Sequence, residues 1–319
     1  MTQRRHGGLP LVVWLTLLTA IPVLGLGILA WREVRTNANT ADAARDVAIT
    51  VEEQAAAINV LTPLQIERIG AVGAARLLEL GLDPDEVVAA IEADYLTIRE
   101  ENTPVLDQQL ATFVDVVGRH DFGDRSDLGP AVESSVGQIE SVRSSIADRT
   151  VTVAQAQAAY DSMLAVVDQF HSEAVTAFQI ERPDLFDAQE AVGEQNLNRI
   201  VIRTASLETA LITDIVTGTA GLDLVALIAT QTVHDEALSR AAERNSDEEI
   251  DLLVGERQAL APLASIWSDS EPLTVGRLAV QPELYGDFAA LLVERLTYLE
   301  AVEEFTIESG EQVVAEAAA

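Results

Sequence analysis

Residues 61–81, LTPLQIERIGAVGAARLLELG, are the stretch that says most about the fold. Apolar side chains recur in it at the spacing of one helix face. The residues on that face are Leu64, Ile69, Val72 and Leu77. Pro63 interrupts the chain before this helix, and Gly81 follows its last turn, where glycine often adopts the left-handed conformation that ends a helix. The stretch therefore predicts a core helix over 64–80.

The rest of the chain shows the same helical stripes, separated by caps and breakers, and it has no sustained strand alternation. Aromatic residues make up only 4%, fewer than a β-sandwich of this size normally carries. The other predicted helices cover about 32–61, 84–117 with a kink at Pro104, 131–148, 153–180, 185–217, 222–245, 247–267 and 283–316. Residues 118–129 are predicted as a loop. We therefore predict an all-α fold.

Cap signals support several of these boundaries. Thr152 and Gln155 have the spacing of a capping box, as do Ser246 and Glu249. Asp83 before Pro84 has the pattern of an N-cap followed by proline at the first helical position. The helix that follows the first capping box carries a stripe of apolar residues on one face. We predict that this stripe packs in the core and is not a cofactor site. Its members are Val153, Ala156, Tyr160, Met163, Leu164, Val167 and Phe170.

An uncharged apolar run from Leu9 to Trp31 predicts a membrane anchor. As a helix it spans about 34 Å at roughly 1.5 Å per residue, which is enough for a bilayer core. A cleaved signal peptide is the alternative, but its apolar region is usually shorter and ends at a small-residue cleavage site. We predict that 1–8 is cytoplasmic, that 9–31 is a transmembrane helix, and that the acidic remainder is extracytoplasmic.

A weak internal repeat suggests two related antiparallel bundles after the anchor. Thr152-Val153 aligns with Thr274-Val275, and Tyr160 then aligns with Tyr285 after a short insertion. The predicted bundles cover 32–185 and 186–319.

Net charge argues against one class of partner. The chain carries a formal charge of −32, and all 20 basic residues are arginine. Such a field repels phosphate backbones, so we predict no nucleic-acid binding. Either a solvating acidic surface or a surface that attracts cations would explain the charge.

We find no motif that predicts catalysis, so we expect neither an enzyme nor a cofactor. A phosphate loop, a dinucleotide fingerprint and a zinc-protease motif are absent from the sequence, and there is no cysteine. His171 with Glu173, and His234 with Asp235 and Glu236, are the candidate metal pairs. Their spacing does not place them on one helix face, so we predict no metal site.

The Glu67-Arg68 pair is the strongest candidate for a binding site. Gly70 and Gly73 follow it, and their missing side chains would let a helix or a ligand approach the backbone. The Arg68 guanidinium could clamp a planar anion through two hydrogen bonds. The alternative is that Arg68 forms an ion pair between helices.

At these residues the chain resembles the nitrate- and nitrite-sensing (NIT-type) domains of bacterial membrane receptors. Those domains show Leu-Gln-x-Glu-Arg near the start of their first helix, matched here by 64–68. A second similarity covers IESVRSSIADRTVTVAQAQAAYDSML, residues 139–164, through Ile139, Arg143, Thr152 and Tyr160. The resemblance extends over about 45–310.

The resemblance implies a pair of helical bundles that binds a small anion such as nitrate or nitrite. Arg68 would be one arm of an arginine clamp. The family's second arginine lies in a Glu-Arg pair, which RIVIRTASLETALITDIVTG, residues 199–218, lacks. Arg199 and Arg203 are its nearest substitutes. The implied ligand-binding set is Arg68, Gly70, Gly73, Arg199 and Arg203.

Two functions follow as hypotheses. In the first, the chain is the sensing module of a receptor, a homodimer that signals to a cytoplasmic output domain or partner beyond this sequence. In the second, it is a single-pass helical scaffold without a small ligand. We favour the sensor.

Overall fold

The computed structural model describes residues 45, 48–49, 51–85, 94–119, 128–181, 186–217, 224–244, 248–260, 267–268, 271–272, 274, 277 and 285–318. Within these ranges the fold is helical apart from one pair of two-residue strands, which confirms the all-α prediction. The predicted anchor at 9–31 lies outside these ranges. None of the described helices is both long and apolar enough to cross a membrane.

The helices follow one another along the chain after a helical segment at 51–58. They are α1 (Leu61–Glu79), α2 (Asp94–Arg119), α3 (Leu128–Ala147), α4 (Val153–Glu181), α5 (Phe186–Thr217), α6 (Leu224–Arg244), α7 (Glu248–Ala259) and α8 (Tyr285–Ala318). Strands β1 (Trp267–Ser268) and β2 (Glu271–Pro272) pair antiparallel between α7 and α8.

Helix α1 ends where its sequence predicts, but it begins at Leu61, three residues before the predicted start, because Pro63 lies inside the helix and does not interrupt the chain. A turn at 59–60 separates it from the preceding segment, and Pro63 lies in its first turn, where the missing N–H has no helical acceptor to lose. At the other end Gly81 has a φ of +75°. Its N–H donates to the Leu78 carbonyl, and the Leu82 N–H donates to the Leu77 carbonyl. These two bonds form a Schellman cap, as expected for glycine at this position.

The predicted capping box at the start of α4 is present. The Thr152 N–H donates to Gln155 Oε1 at 3.0 Å, and the Gln155 N–H donates to Thr152 Oγ1 at 3.3 Å. Asp83 also acts as predicted, because its Oδ1 accepts the Asp85 N–H at 3.0 Å. Ser246 lies outside the described residues.

The predicted helix over 247–267 was wrong at its C-terminal end. Helix α7 ends at Ala259, and Trp267 pairs with Pro272 in the strand pair. Pro262 explains the early end, since proline offers no helical N–H and disfavours helical backbone in the residue before it. The predicted loop at 118–129 is shorter than expected, because α2 continues to Arg119 and α3 begins at Leu128.

The helices form two groups by their contacts. Helix α1 packs on α2, α3 and α4, and these form the first helix group. Helices α6 and α8 pack on α5, and α7 packs on α6 and α8, forming the second helix group. Helix α1 also contacts α5 and α8, and α4 contacts α5, so α1 lies at the junction of the groups.

One cluster of buried apolar side chains runs through both groups. Phe113 of α2 and Phe170 of α4 meet edge to face in it, with ring centroids 5.2 Å apart. Six of the seven residues of the predicted α4 stripe are buried, and Leu164 is partly buried against the same cluster. The stripe is therefore core, as predicted.

Candidate ligand cleft

The Leu-Gln-x-Glu-Arg motif lies in the interior of the protein. Leu64 and Gln65 are fully buried, and Glu67 and Arg68 are only 4% and 1% exposed. A buried polar group is costly unless it is hydrogen-bonded, so each polar side chain of the motif needs a partner. Gln65 Nε2 donates to the Ser206 hydroxyl at 2.9 Å, which ties α1 to α5.

Glu67 is held inside the first helix group. Arg143 of α3 donates to both of its carboxylate oxygens, from Nε at 2.6 Å and from Nη2 at 2.8 Å. The Tyr160 hydroxyl donates to Glu67 Oε1 at 2.9 Å. Hydrogen bonding to Glu67 raises the pKa of Arg143 further above its usual value. Glu67 therefore joins α1, α3 and α4.

Arg68 points the other way, towards the second helix group. Its Nε donates to Asp161 of α4 at 3.1 Å, and its Nη2 donates to Asp214 of α5 at 2.8 Å. Its Nη1 donates to the Ala210 carbonyl at 3.3 Å. Each guanidinium nitrogen thus has a protein partner, and Arg68 forms the interhelical ion pair that was the alternative to an anion clamp.

A cleft of about 370 Å³ opens beside Arg68, at the junction of α1, α4 and α5. Its volume is in the lower range for sites that bind small molecules. Three of the five predicted site residues, Arg68, Arg199 and Arg203, line this cleft. The remaining lining residues are Leu61, Asp161, Leu164, Ala165, Val167, Asp168, Gln169, His171, Ile202, Ser206, Leu207, Ala210, Leu211 and Asp214.

Arg199 and Arg203 share a single carboxylate. Asp168 Oδ1 lies 3.2 Å from Arg199 Nη2, and Asp168 Oδ2 lies 3.4 Å from Arg203 Nη2. The two arginines are four residues apart on α5 and therefore face the same side of the helix. Arg203 is 58% exposed, and the buried Arg199 Nε has no hydrogen-bond partner among the described residues.

The charges of the cleft balance. Its lining contains three arginines and three aspartates. Burial lowers the pKa of His171 to about 4, so this ring adds no charge at neutral pH. Burial also raises the pKa of Asp161, against the opposing effect of Arg68. The cleft thus contains six charged side chains but has no net charge.

Two of the predicted site residues are not part of the cleft. Gly70 is buried and Gly73 is partly buried on α1, and neither lines it. A Cβ added at Gly73 would meet no atom within 4 Å. No other helix among the described residues approaches the Gly73 backbone closely, and the approach of a ligand there stays a prediction.

Sequence reasoning missed the three aspartates. Asp161 and Asp168 are seven residues apart, two helical turns, so they face the same side of α4. Asp214 lies three turns after Arg203 on α5 by the same argument. These spacings were visible, but with 52 acidic residues in the chain they could not be distinguished from chance.

The candidate metal histidines make hydrogen bonds inside the protein. His171 Nε2 lies 3.2 Å from the Gln54 carbonyl oxygen, and since a carbonyl can only accept, this nitrogen carries the proton. His234 Nε2 lies 2.6 Å from the Tyr298 hydroxyl. Burial lowers the pKa of His234 to about 4. In the part of the chain that the structure describes, no three His, Asp or Glu side chains are placed to hold a metal ion.

The second helix group contains its own buried carboxylate. Glu208 of α5 is 2% exposed and accepts from Arg295 of α8. Arg257 of α7 lies with its Nη1 2.9 Å from Glu208 Oε2, and its guanidinium carbon is 5.6 Å from the centre of the Tyr298 ring. Both groups thus place a buried Glu on their first helix, an Arg on their third and a Tyr on their fourth.

Comparison of the chain with protein-family models, with curated proteins and with solved structures finds no match in any of the three.

Proposed function

We propose that the chain is the ligand-sensing module of a bacterial membrane receptor, with the cleft beside Arg68 as its ligand site. One observation carries the proposal: Arg68, Arg199 and Arg203, from distant parts of the sequence, line the same cleft. The cleft lies where the two helix groups meet, so a ligand would contact both. A ligand that binds one packing of the groups more tightly than another would shift the population towards it.

The ligand that the resemblance implies is a small anion such as nitrate or nitrite. Arg199 and Arg203 form a better anion site in this cleft than Arg68 does, because the two guanidinium groups share one carboxylate. Arg68 is already paired with Asp161 and Asp214. An anion bound at Arg68 would have to displace one of these carboxylates or lie next to both of them, where like charges repel.

The remaining parts of the proposal concern architecture. We propose an anchor at 9–31 with a cytoplasmic N-terminus, two antiparallel bundles at 32–185 and 186–319, and a homodimer that signals to an output domain or partner. The repeated Glu-Arg-Tyr cluster supports an internal duplication. It pairs Tyr160 with Tyr298, whereas the sequence repeat paired Tyr160 with Tyr285, whose side chain lies outside what the structure describes.

The experiment is a thermal-shift screen of the full chain in detergent against nitrate, nitrite, amino acids and short peptides. We expect at least one charged compound to stabilise the protein saturably, because a ligand that binds only the folded state raises its stability. Arg203→Gln should abolish this shift. Arg240→Gln is the matched control, since Arg240 pairs only with Glu236 on the exposed face of α6 among the described contacts.

A second measurement tests signalling. The chain has no cysteine, so Ser144→Cys and Ser239→Cys would be the only thiols available for a pair of spin labels. Both positions are exposed, one in each helix group. A ligand-induced change in the distance between the labels would support sensing. Binding without any change would contradict the signalling part of the proposal.

The scaffold remains the second candidate, and one observation favours it. All three Arg68 guanidinium nitrogens already contact protein oxygens, as expected for a purely structural ion pair. If no compound in the screen shifts the melting temperature in an Arg203-dependent way, the sensor proposal fails and the scaffold is preferred.

A further inference from the structure

The charged groups of the cleft are separated into two poles. At one end Asp161 and Asp214 flank the single guanidinium of Arg68, which leaves a local charge of minus one. At the other end Arg199 and Arg203 flank the single carboxylate of Asp168, which leaves a local charge of plus one. The cleft as a whole is neutral, but it has a negative end and a positive end.

Each pole presents a side chain to solvent. Asp161 is 53% exposed and pairs with Arg68 through Oδ1. Arg203 is 58% exposed and is 3.4 Å from Asp168, the longest ion pair in the cleft. The buried Nε of Arg199 also lacks a hydrogen-bond partner among the described residues. Both poles can therefore accept a charged group without first breaking the Arg68 pairs.

The space between the poles is mostly apolar. On α4, Leu164 and Ala165 line the cleft between Asp161 and Asp168, and on α5, Leu207 and Leu211 line it between Arg203 and Asp214. Seven residues of helix separate the two aspartates of α4, which is about 10 Å at 1.5 Å per residue. A bound molecule that reaches both poles must therefore carry its charges several ångströms apart.

From this geometry we propose that the ligand is a zwitterion with well-separated charges, of the kind presented by a peptide of two or three residues with free termini. The inference rests on the proposed function, because it assumes that this cleft is the ligand site. The ammonium group lies at Asp161 and Asp214, and the carboxylate lies at Arg199 and Arg203. An extended peptide covers about 3.3–3.6 Å per residue, so two or three residues span roughly 7–10 Å.

Charge decides against the simpler ligands. A bare anion such as nitrate gains contacts at the positive end and does not balance the net negative charge of the other end, in a protein whose net charge is −32. A bare cation has the opposite mismatch. A zwitterion pairs with both ends and adds no net charge, and the apolar middle of the cleft suits the side chains of small residues.

The test is a calorimetric titration of the full chain in detergent with trialanine. N-acetyl-trialanine, which lacks the ammonium group, and trialanine amide, which lacks the carboxylate, are the matched probes. We expect each blocked peptide to bind at least about tenfold more weakly, as for the loss of a hydrogen bond to a charged group. Pentaalanine should also bind more weakly, because its termini lie too far apart.

Two variants assign the termini to the poles. Asp161→Asn should weaken trialanine about tenfold and leave N-acetyl-trialanine unchanged, since that probe has no ammonium to lose. Arg203→Gln should weaken trialanine and leave the amide unchanged. Both side chains are more than half exposed, so the variants should keep the fold, and circular dichroism checks this. Arg240→Gln is again the control.

The outcomes separate this inference from the proposed function. If the blocked peptides bind as well as trialanine, or if trialanine does not bind, the zwitterion inference is overturned. If nitrate then binds in an Arg203-dependent way, the sensor proposal stands without it. If no compound of the thermal-shift screen, peptides included, binds in an Arg203-dependent way, both proposals fail.

Discussion

Buried charges at single residues carry much of the internal organisation of this protein. Glu67 and Arg68 are neighbours on α1, yet they contact different helix groups. Glu67 accepts hydrogen bonds within the first group, and Arg68 donates to a carboxylate of the second. Both are nearly fully buried. Removal of one partner from such a pair leaves an uncompensated charge in the interior, which costs much more than the pair itself contributes.

We expect Arg143→Ala to destabilise the protein by roughly 3 kcal/mol, because it leaves the Glu67 carboxylate buried with Tyr160 as its remaining partner. Chemical denaturation followed by circular dichroism measures this. Arg119→Ala is the control, since Arg119 is 61% exposed and pairs with Asp115 one turn away. Its cost should lie within about 0–1 kcal/mol. Equal losses in the two variants would contradict the assigned role of Glu67.

Glu303 of α8 should make stability depend on pH. It accepts the Thr62 N–H at 2.7 Å, and burial raises its pKa to about 8 from 4.5 in the unfolded chain. Because the pKa of Glu303 is higher in the folded protein than in the unfolded chain, its contribution to the free energy of unfolding is largest below about pH 4.5. This contribution is lost as pH rises through about 8.

Glu303→Gln imitates the protonated form and should therefore flatten the pH dependence between pH 5 and 8. Melting temperatures measured across this range test it. The matched control is Glu304→Gln, because Glu304 is the next residue and is exposed. If the pH profiles of Glu303→Gln and the wild type have the same slope, the carboxyl group is ionised in the folded protein.

At the scale of single elements, the two ends of α1 are fixed by different kinds of interaction, one local in the sequence and one tertiary. Its C-terminus is specified by Gly81 and the Schellman bonds. Its N-terminus has no side-chain cap of its own. The Thr62 N–H is instead satisfied by Glu303, which is distant in the sequence. The C-terminus of the helix is thus determined by neighbouring residues, whereas its N-terminus depends on a contact with a distant helix.

The same substitution at two glycines of this region should have opposite effects. Gly81→Ala should cost about 1 kcal/mol, because an L side chain disfavours the left-handed conformation at φ +75°. Gly73→Ala should stabilise by about 0.5–1 kcal/mol, because alanine is the better helix former. An added Cβ meets no atom within 4 Å at either site, so packing does not enter. Urea denaturation of both variants tests the signs, and a loss of stability in Gly73→Ala would contradict the argument.

On the scale of the whole molecule, α1 is the helix that joins the two groups. It contacts three helices of its own group and two of the other. Three of its residues, Thr62, Gln65 and Arg68, donate five hydrogen bonds to the second group. A helix with so many partners can open only when both groups loosen.

We expect the backbone amides of residues 64–77 to be among the slowest to exchange in the protein, since they open only with the global unfolding of the chain. Hydrogen exchange followed by mass spectrometry measures this. Helix α6 is the internal reference, because it packs mainly on α5 and α7, touches α8 through His234 and Tyr298, and leaves several of its apolar residues exposed. Faster exchange in α1 than in α6 would show that α1 does not join the groups.

The sequence alone determined the helical class and most helix boundaries, because helical periodicity, Gly81, Asp83 and the Thr152–Gln155 box act over a few residues. It also singled out Arg68, Arg199 and Arg203. It did not reveal that they line one cleft, nor that Asp161, Asp168 and Asp214 divide it into two poles. Helix periodicity places a side chain on a face, whereas the partner of that face depends on how distant helices pack. Only the tertiary structure decided that Arg68 pairs with two carboxylates, and this pairing sets the charge that a ligand meets.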